Sequence, residues 1–63
     1  MTQYVISVNA PWAAKSYFAA AGGYTTDVNR AKMFDTYKEA DAQLMVLASA
    51  NTAVARYGQV EEA

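Results

Sequence analysis

Neither cysteine nor histidine occurs anywhere in these 63 residues, and that double absence constrains the chain more than any motif it carries. A domain this short buries only about 60% of the surface its unfolded chain exposes, and chains of this size commonly lean on a disulfide or a metal ion. Without cysteine there is no disulfide and no thiolate ligand. Without histidine the commonest zinc ligand and the commonest general base are gone as well. Stability must then come from apolar packing, and a 54% share of hydrophobic residues places the chain among globular domains rather than disordered segments. The length allows one domain, residues 1–63.

Local signals divide the chain into short elements. Residues 3–9 alternate, with Tyr4, Ile6 and Val8 on one face and Gln3, Val5, Ser7 and Asn9 on the other, which predicts a half-buried strand. Pro11 ends it, since proline donates no ladder bond and biases Ala10 away from helix. In residues 15–21 the alanines favour helix. The aromatic pair Tyr17-Phe18 and the closing Gly22-Gly23 turn favour a strand, the reading preferred here, with Tyr24-Thr25 starting the return. Thr26-Asp27 offers an N-cap for a single helical turn over 28–31, and Lys32-Met33-Phe34 is expected to re-enter the sheet.

The clearest signal is Thr36-Tyr37-Lys38-Glu39, a capping box, with Asp35 beside it where a helix N-terminus favours negative charge. It predicts a helix over 37–50 that turns Tyr37, Ala40, Leu44, Leu47 and Ala48 inward and Lys38, Asp41, Met45 and Ser49 outward. Asn51 is expected as a left-handed C-cap. Residues 53–60 read as a last strand of undecided orientation, and residues 61–63 as a frayed end. The predicted fold is α+β, a small antiparallel sheet of three to four strands with one α-helix packed on one face.

The residues exclude several kinds of chemistry. Nucleophilic triads built on histidine or cysteine cannot be assembled. Gly22-Gly23 fits neither phosphate-loop nor dinucleotide spacing, and no calcium-loop pattern of acids occurs, so no enzyme activity, cofactor or metal is expected. The five basic residues are scattered, which argues against direct nucleic-acid binding. The longest apolar run falls far short of the roughly 20 residues that span a bilayer. With no basic, apolar leader at the start, no membrane association and a cytoplasmic location are expected.

Eight aromatic residues exceed what so small a core can enclose. Trp12 and Tyr24 are each equally open as lids on the sheet or as exposed anchors of an interface, where such residues are enriched. Phe34 and Tyr37 are expected in the core. Asp27, Asp35, Glu39 and Asp41 fall within 15 residues, with basic residues between them. They read as helix caps and solvated surface, or as an acidic patch steering association with a basic partner.

Gly23-Tyr24-Thr25, Asp27, Ala31, Phe34, Thr36 and Glu39-Ala40 follow the pattern G-Y-T-x-D-x-x-x-A-x-x-F-x-T-x-x-E-A. It is similar to a motif of very small α+β proteins encoded by bacteriophages and mobile elements, and the resemblance covers residues 23–40. It implies a phage accessory protein acting inside a bacterial host cell, among which inhibitors of host defence, including anti-CRISPR proteins, form a natural group. Some of these imitate DNA with acidic surfaces, although this chain, at a net charge of −1, is only weakly acidic. The expected function is therefore a non-enzymatic inhibitor of a host protein, foremost a CRISPR effector complex. Trp12 and Tyr24 would be its anchors, and Asp27, Asp35, Glu39 and Asp41 its acids. The alternative is a structural homodimer that covers an exposed edge strand or aromatic face.

Overall fold

The computed structural model describes residues 2–63. Strands β1 (Tyr4–Val8), β2 (Ser16–Phe18) and β3 (Tyr24–Thr25) are followed by a 3₁₀ turn at Val28–Arg30. Helices α1 (Tyr37–Ala50) and α2 (Thr52–Tyr57) come next, and strand β4 (Gly58–Glu62) closes the chain. The strands form one antiparallel sheet in the order β3-β2-β1-β4. The α+β architecture expected from the sequence is present, with one main helix, α1, packed over β1 and β4.

β1 is central, and this corrects its expected half-burial: Val5, Ile6, Ser7 and Val8 are all buried. The helix-facing side carries Ile6, which joins Phe34 and Ala40 in a core packed by Tyr4, Phe18, Leu44, Leu47 and Val60. On the far side, the register sets Tyr17 and Gln59 opposite Ser7 and Glu61 opposite Val5. These longer side chains flank Val5 and Ser7 and shield them from water without a second layer.

Gly22 and Gly23 turn the chain into β3 at φ values of +97° and +73°, a region in which glycine meets no Cβ clash. Asp27 caps the 3₁₀ turn by accepting the Asn29 N–H at 2.9 Å. The strand expected at Lys32–Phe34 is reduced to single bridges. Ala31 pairs with Ala19 and Phe34 pairs with Tyr4, so the segment passes from one strand to another and cannot form a ladder with either. The expected strand over 15–21 shortens for the same reason to Ser16–Phe18 plus the Ala19 bridge.

α1 begins where the capping box places it, with the Glu39 N–H donating to Thr36 Oγ1 at 3.2 Å. Ala40 is fully buried, and Leu44, Leu47 and Ala48 are half-buried. Tyr37 departs from its expected place in the core. It is 56% exposed and meets Tyr4 edge to face at 5.9 Å, because a first-turn residue lies at the rim of the sheet. Asp41 is half-buried rather than outward.

The C-terminal third differs most from expectation. Asn51 has φ −141° and ψ 115°, so it is no left-handed C-cap. Its Oδ1 accepts the N–H groups of Ala53 and Val54 at 2.9 and 3.4 Å and starts α2, for which an extended backbone is required. Residues 53–57 are helical rather than a strand. That turn buries Val54 against the sheet, a placement the alternation of 53–60 did not reveal. β4 then takes residues 58–62, and the end expected to fray is paired: Glu61 lies opposite Val5 and Glu62 opposite Tyr4. The Ala63 N–H also donates to the Gln3 carbonyl at 2.8 Å. Asn51→Ala should cost about 1 kcal/mol, in line with other lost caps. Urea unfolding checks this, and an unchanged midpoint would mean that α2 is held by Val54 packing alone.

Candidate functional site

The Asn9–Lys15 connection makes a tight turn in which the Ala13 N–H bonds the Ala10 carbonyl at 3.2 Å. Pro11 takes the second position, which suits its fixed φ. Trp12 stands at the tip, 69% exposed, with its ring edge to face on Tyr57 at 5.1 Å. Tyr24, 41% exposed, is supported in the same way by Phe18 at 6.1 Å. Trp12 and Tyr24 share the lining of a groove of about 210 Å³, whose floor includes Val8, Ala10 and Val54 and whose polar rim includes Asn51. Each ring rests on another ring, so little rotamer freedom remains to be lost on contact with a partner.

The four candidate acids do not converge. Asp35 and Glu39 line a second, more open groove of about 430 Å³ beside α1, together with Lys32, Met33 and Val46. Asp27 sits at the 3₁₀ turn, 3.8 Å from the Arg30 guanidinium. Asp41 is two residues from Glu39, and the 100° step of a helix sends it to the other flank of α1. The structure therefore joins Trp12 with Tyr24, and Asp35 with Glu39, on separate surfaces. Lys32 in the second groove offsets its negative charge.

A third cluster occupies the helix-free face. Lys15 Nζ lies 2.8 Å from both carboxylate oxygens of Glu61 and 5.7 Å from the centre of the Tyr17 ring. Gln59 Nε2 donates to the same carboxylate at 2.9 Å. The hydrogen bond from Lys15 holds the Glu61 carboxyl below its usual range, and the same bond raises the Lys15 ammonium. Ser7 Oγ is buried in this region with no hydrogen-bond partner among the described residues. Sequence reasoning missed this cluster because Lys15 and Glu61 are 46 positions apart. It also missed Tyr57 as the support of Trp12, since residue 57 was read as strand rather than helix end.

Among the described residues, no group of three or more carboxylates comes together to hold a metal ion, and no helix is long and apolar enough to cross a membrane. No protein-family model, no curated protein and no solved structure matches the chain. The arrangement offers a braced aromatic pair over an apolar groove, chemistry suited to taking up an apolar side chain of another protein.

Proposed function

We propose that this chain is a non-enzymatic binding protein that engages another protein through the Trp12 groove. In its specific form the proposal is a small phage-encoded inhibitor, acting in the bacterial host cytoplasm, that blocks DNA recognition by a defence assembly, foremost a CRISPR effector complex. The observation that carries the binding reading is Trp12. A tryptophan 69% exposed, yet braced on Tyr57 at the mouth of an apolar groove, presents a large apolar surface to solvent at little entropic cost. Tryptophan and tyrosine in such positions dominate binding energy at protein interfaces. The acids support the inhibitor form more weakly, through Asp35 and Glu39 beside the second groove. The phage setting rests on the motif at residues 23–40.

Purified CRISPR effector complexes, titrated with the chain in the presence and absence of target DNA, test the reading. Trp12→Ala should weaken binding roughly 30-fold, as loss of an interface hot spot does, while costing the fold no more than about 1.5 kcal/mol through the lost Tyr57 contact. Excess target DNA should displace the chain. Binding that ignores Trp12→Ala rejects the groove as the contact, and indifference to DNA rejects groove occlusion as the mechanism.

A further inference from the structure

The sheet has two edges, and they are unequal. β3 is two residues long, whereas β4 is five, and among the described residues no strand pairs with the outer side of β4. The ladder shows which β4 groups are free. Ala63 bonds Gln3 and Asn9 bonds Tyr57 across β1, so the odd-numbered residues of this strand pair inward. The even-numbered residues Gly58, Val60 and Glu62 therefore aim their backbone groups outward. Of these, the Gly58 N–H is already used, bonding the Val54 carbonyl.

We infer that β4 pairs antiparallel with β4 of a second copy of this chain, about a two-fold axis through Val60, to make one continuous sheet with both α1 helices on the same face. Charge selects the register. An axis at Glu61 would set two carboxylates face to face, which is destabilising across a sheet. An axis at Val60 sets Gln59 opposite the second copy's Glu61, as donor to acceptor, and Glu62 opposite Gly58, where no side chain stands. The two Val60 residues exchange both of their backbone bonds, and each Glu62 N–H meets a Gly58 carbonyl. Every outward donor of β4 is then used.

α1 supplies the second half of the contact. Glu39, Ala42, Gln43 and Val46 face the groove beside Lys32–Asp35. That groove lies on the β2 side of β1, because Phe34 bonds the edge of Tyr4 opposite β4. The helical step puts Tyr37, Asp41, Met45 and Ala48 on the other flank, toward the β4 edge. Met45 on that flank is 67% exposed. With strands about 4.8 Å apart, two helices each seated over their own β1–β4 pair stand about 10 Å apart, the spacing of packed helices. Tyr37, Met45 and Ala48 on this flank, beside the carboxylate of Asp41, add apolar area to the edge contact, and a stable interface buries roughly 800 Å² per partner.

This inference is independent of the Trp12 groove, and sedimentation equilibrium at micromolar concentration tests it. The unmodified chain should sediment at twice its 6.8 kDa mass. Glu62→Pro removes an outward N–H and leaves the β1 ladder whole. It should weaken the dimer roughly tenfold by taking one bond from each side, and Met45→Lys should weaken it at least as much. Val46→Lys, on the opposite flank, should change nothing. Because the chain has no cysteine, a mixture of Gln59→Cys and Glu61→Cys chains should cross-link under oxidation, while neither variant alone does so. A monomer for the unmodified chain overturns the inference, as does a dimer indifferent to both Glu62→Pro and Met45→Lys.

Discussion

Phe34→Ala should leave most molecules unfolded in mild urea. Phe34 is buried among Ile6, Ala40 and their neighbours, and its backbone bonds Tyr4 through both its N–H and its carbonyl, at 2.8 and 2.9 Å. Truncating a core phenylalanine costs about 3–5 kcal/mol through lost transfer energy and the cavity left behind. A 63-residue domain at typical stability per residue holds only about 3–9 kcal/mol in all. The chain has no cysteine for a disulfide, and among the described residues no cluster of acids comes together to hold a metal ion. Urea unfolding followed by circular dichroism gives the difference directly. A loss under about 1 kcal/mol, the range of an ordinary surface-to-median substitution, would mean that Phe34 is not the keystone of this core.

Gly58→Ala should also destabilise the fold, though by less, and for a reason of space rather than backbone angle. Gly58 has φ −76°, open to any residue. A Cβ there would nonetheless lie 2.5 Å from the Val54 carbonyl oxygen and 3.0 Å from Leu44 Cδ1. The carbonyl belongs to the backbone of α2 and already accepts the Gly58 N–H, so it cannot swing aside as a side chain would. Relieving the clash means lifting α2 from β4, and overpacking of this kind costs about 1–3 kcal/mol. Arg56→Ala, two positions earlier and exposed, serves as the control and should stay within about 0.5 kcal/mol. If Gly58→Ala matched that control, the junction of α2 and β4 would have to be looser than its geometry indicates. Gly22 shows the converse case, with nothing within 4 Å of an added Cβ but a φ of +97°.

These substitutions separate two kinds of information. Thr36 and Glu39 announce the start of α1 because a cap is a contact across three residues, written into neighbouring letters. Gly22-Gly23 and Asp27 are legible for the same reason. At the candidate site, the sequence marks Trp12 and Tyr24 as surplus aromatics. The groove between them requires β1, β2 and the start of α2 to converge, and so does not show in any local window. The four acids, close in sequence, separate in space because a helix sends Glu39 and Asp41 to different flanks.

The sequence by itself determined the α+β class, the presence of the first strand, the Gly-Gly turn and the extent of α1, which rest largely on interactions between residues a few positions apart. Only the tertiary structure decided that Asn51 ends α1 with an extended backbone and caps α2, that residues 53–57 are helical, that Tyr37 lies at the rim, and that Glu61 reaches back to Lys15. Tyr37, Glu61 and residues 53–57 answer to partners distant in the chain, whereas the bonds of Asn51 are local and are selected by the burial of Val54 against the sheet. The alternation of Ala53 to Tyr57 suits strand and helix alike. The choice falls to helix because that conformation buries Val54 and brings Gly58 against the Val54 carbonyl, so that the last five strand residues can complete the sheet.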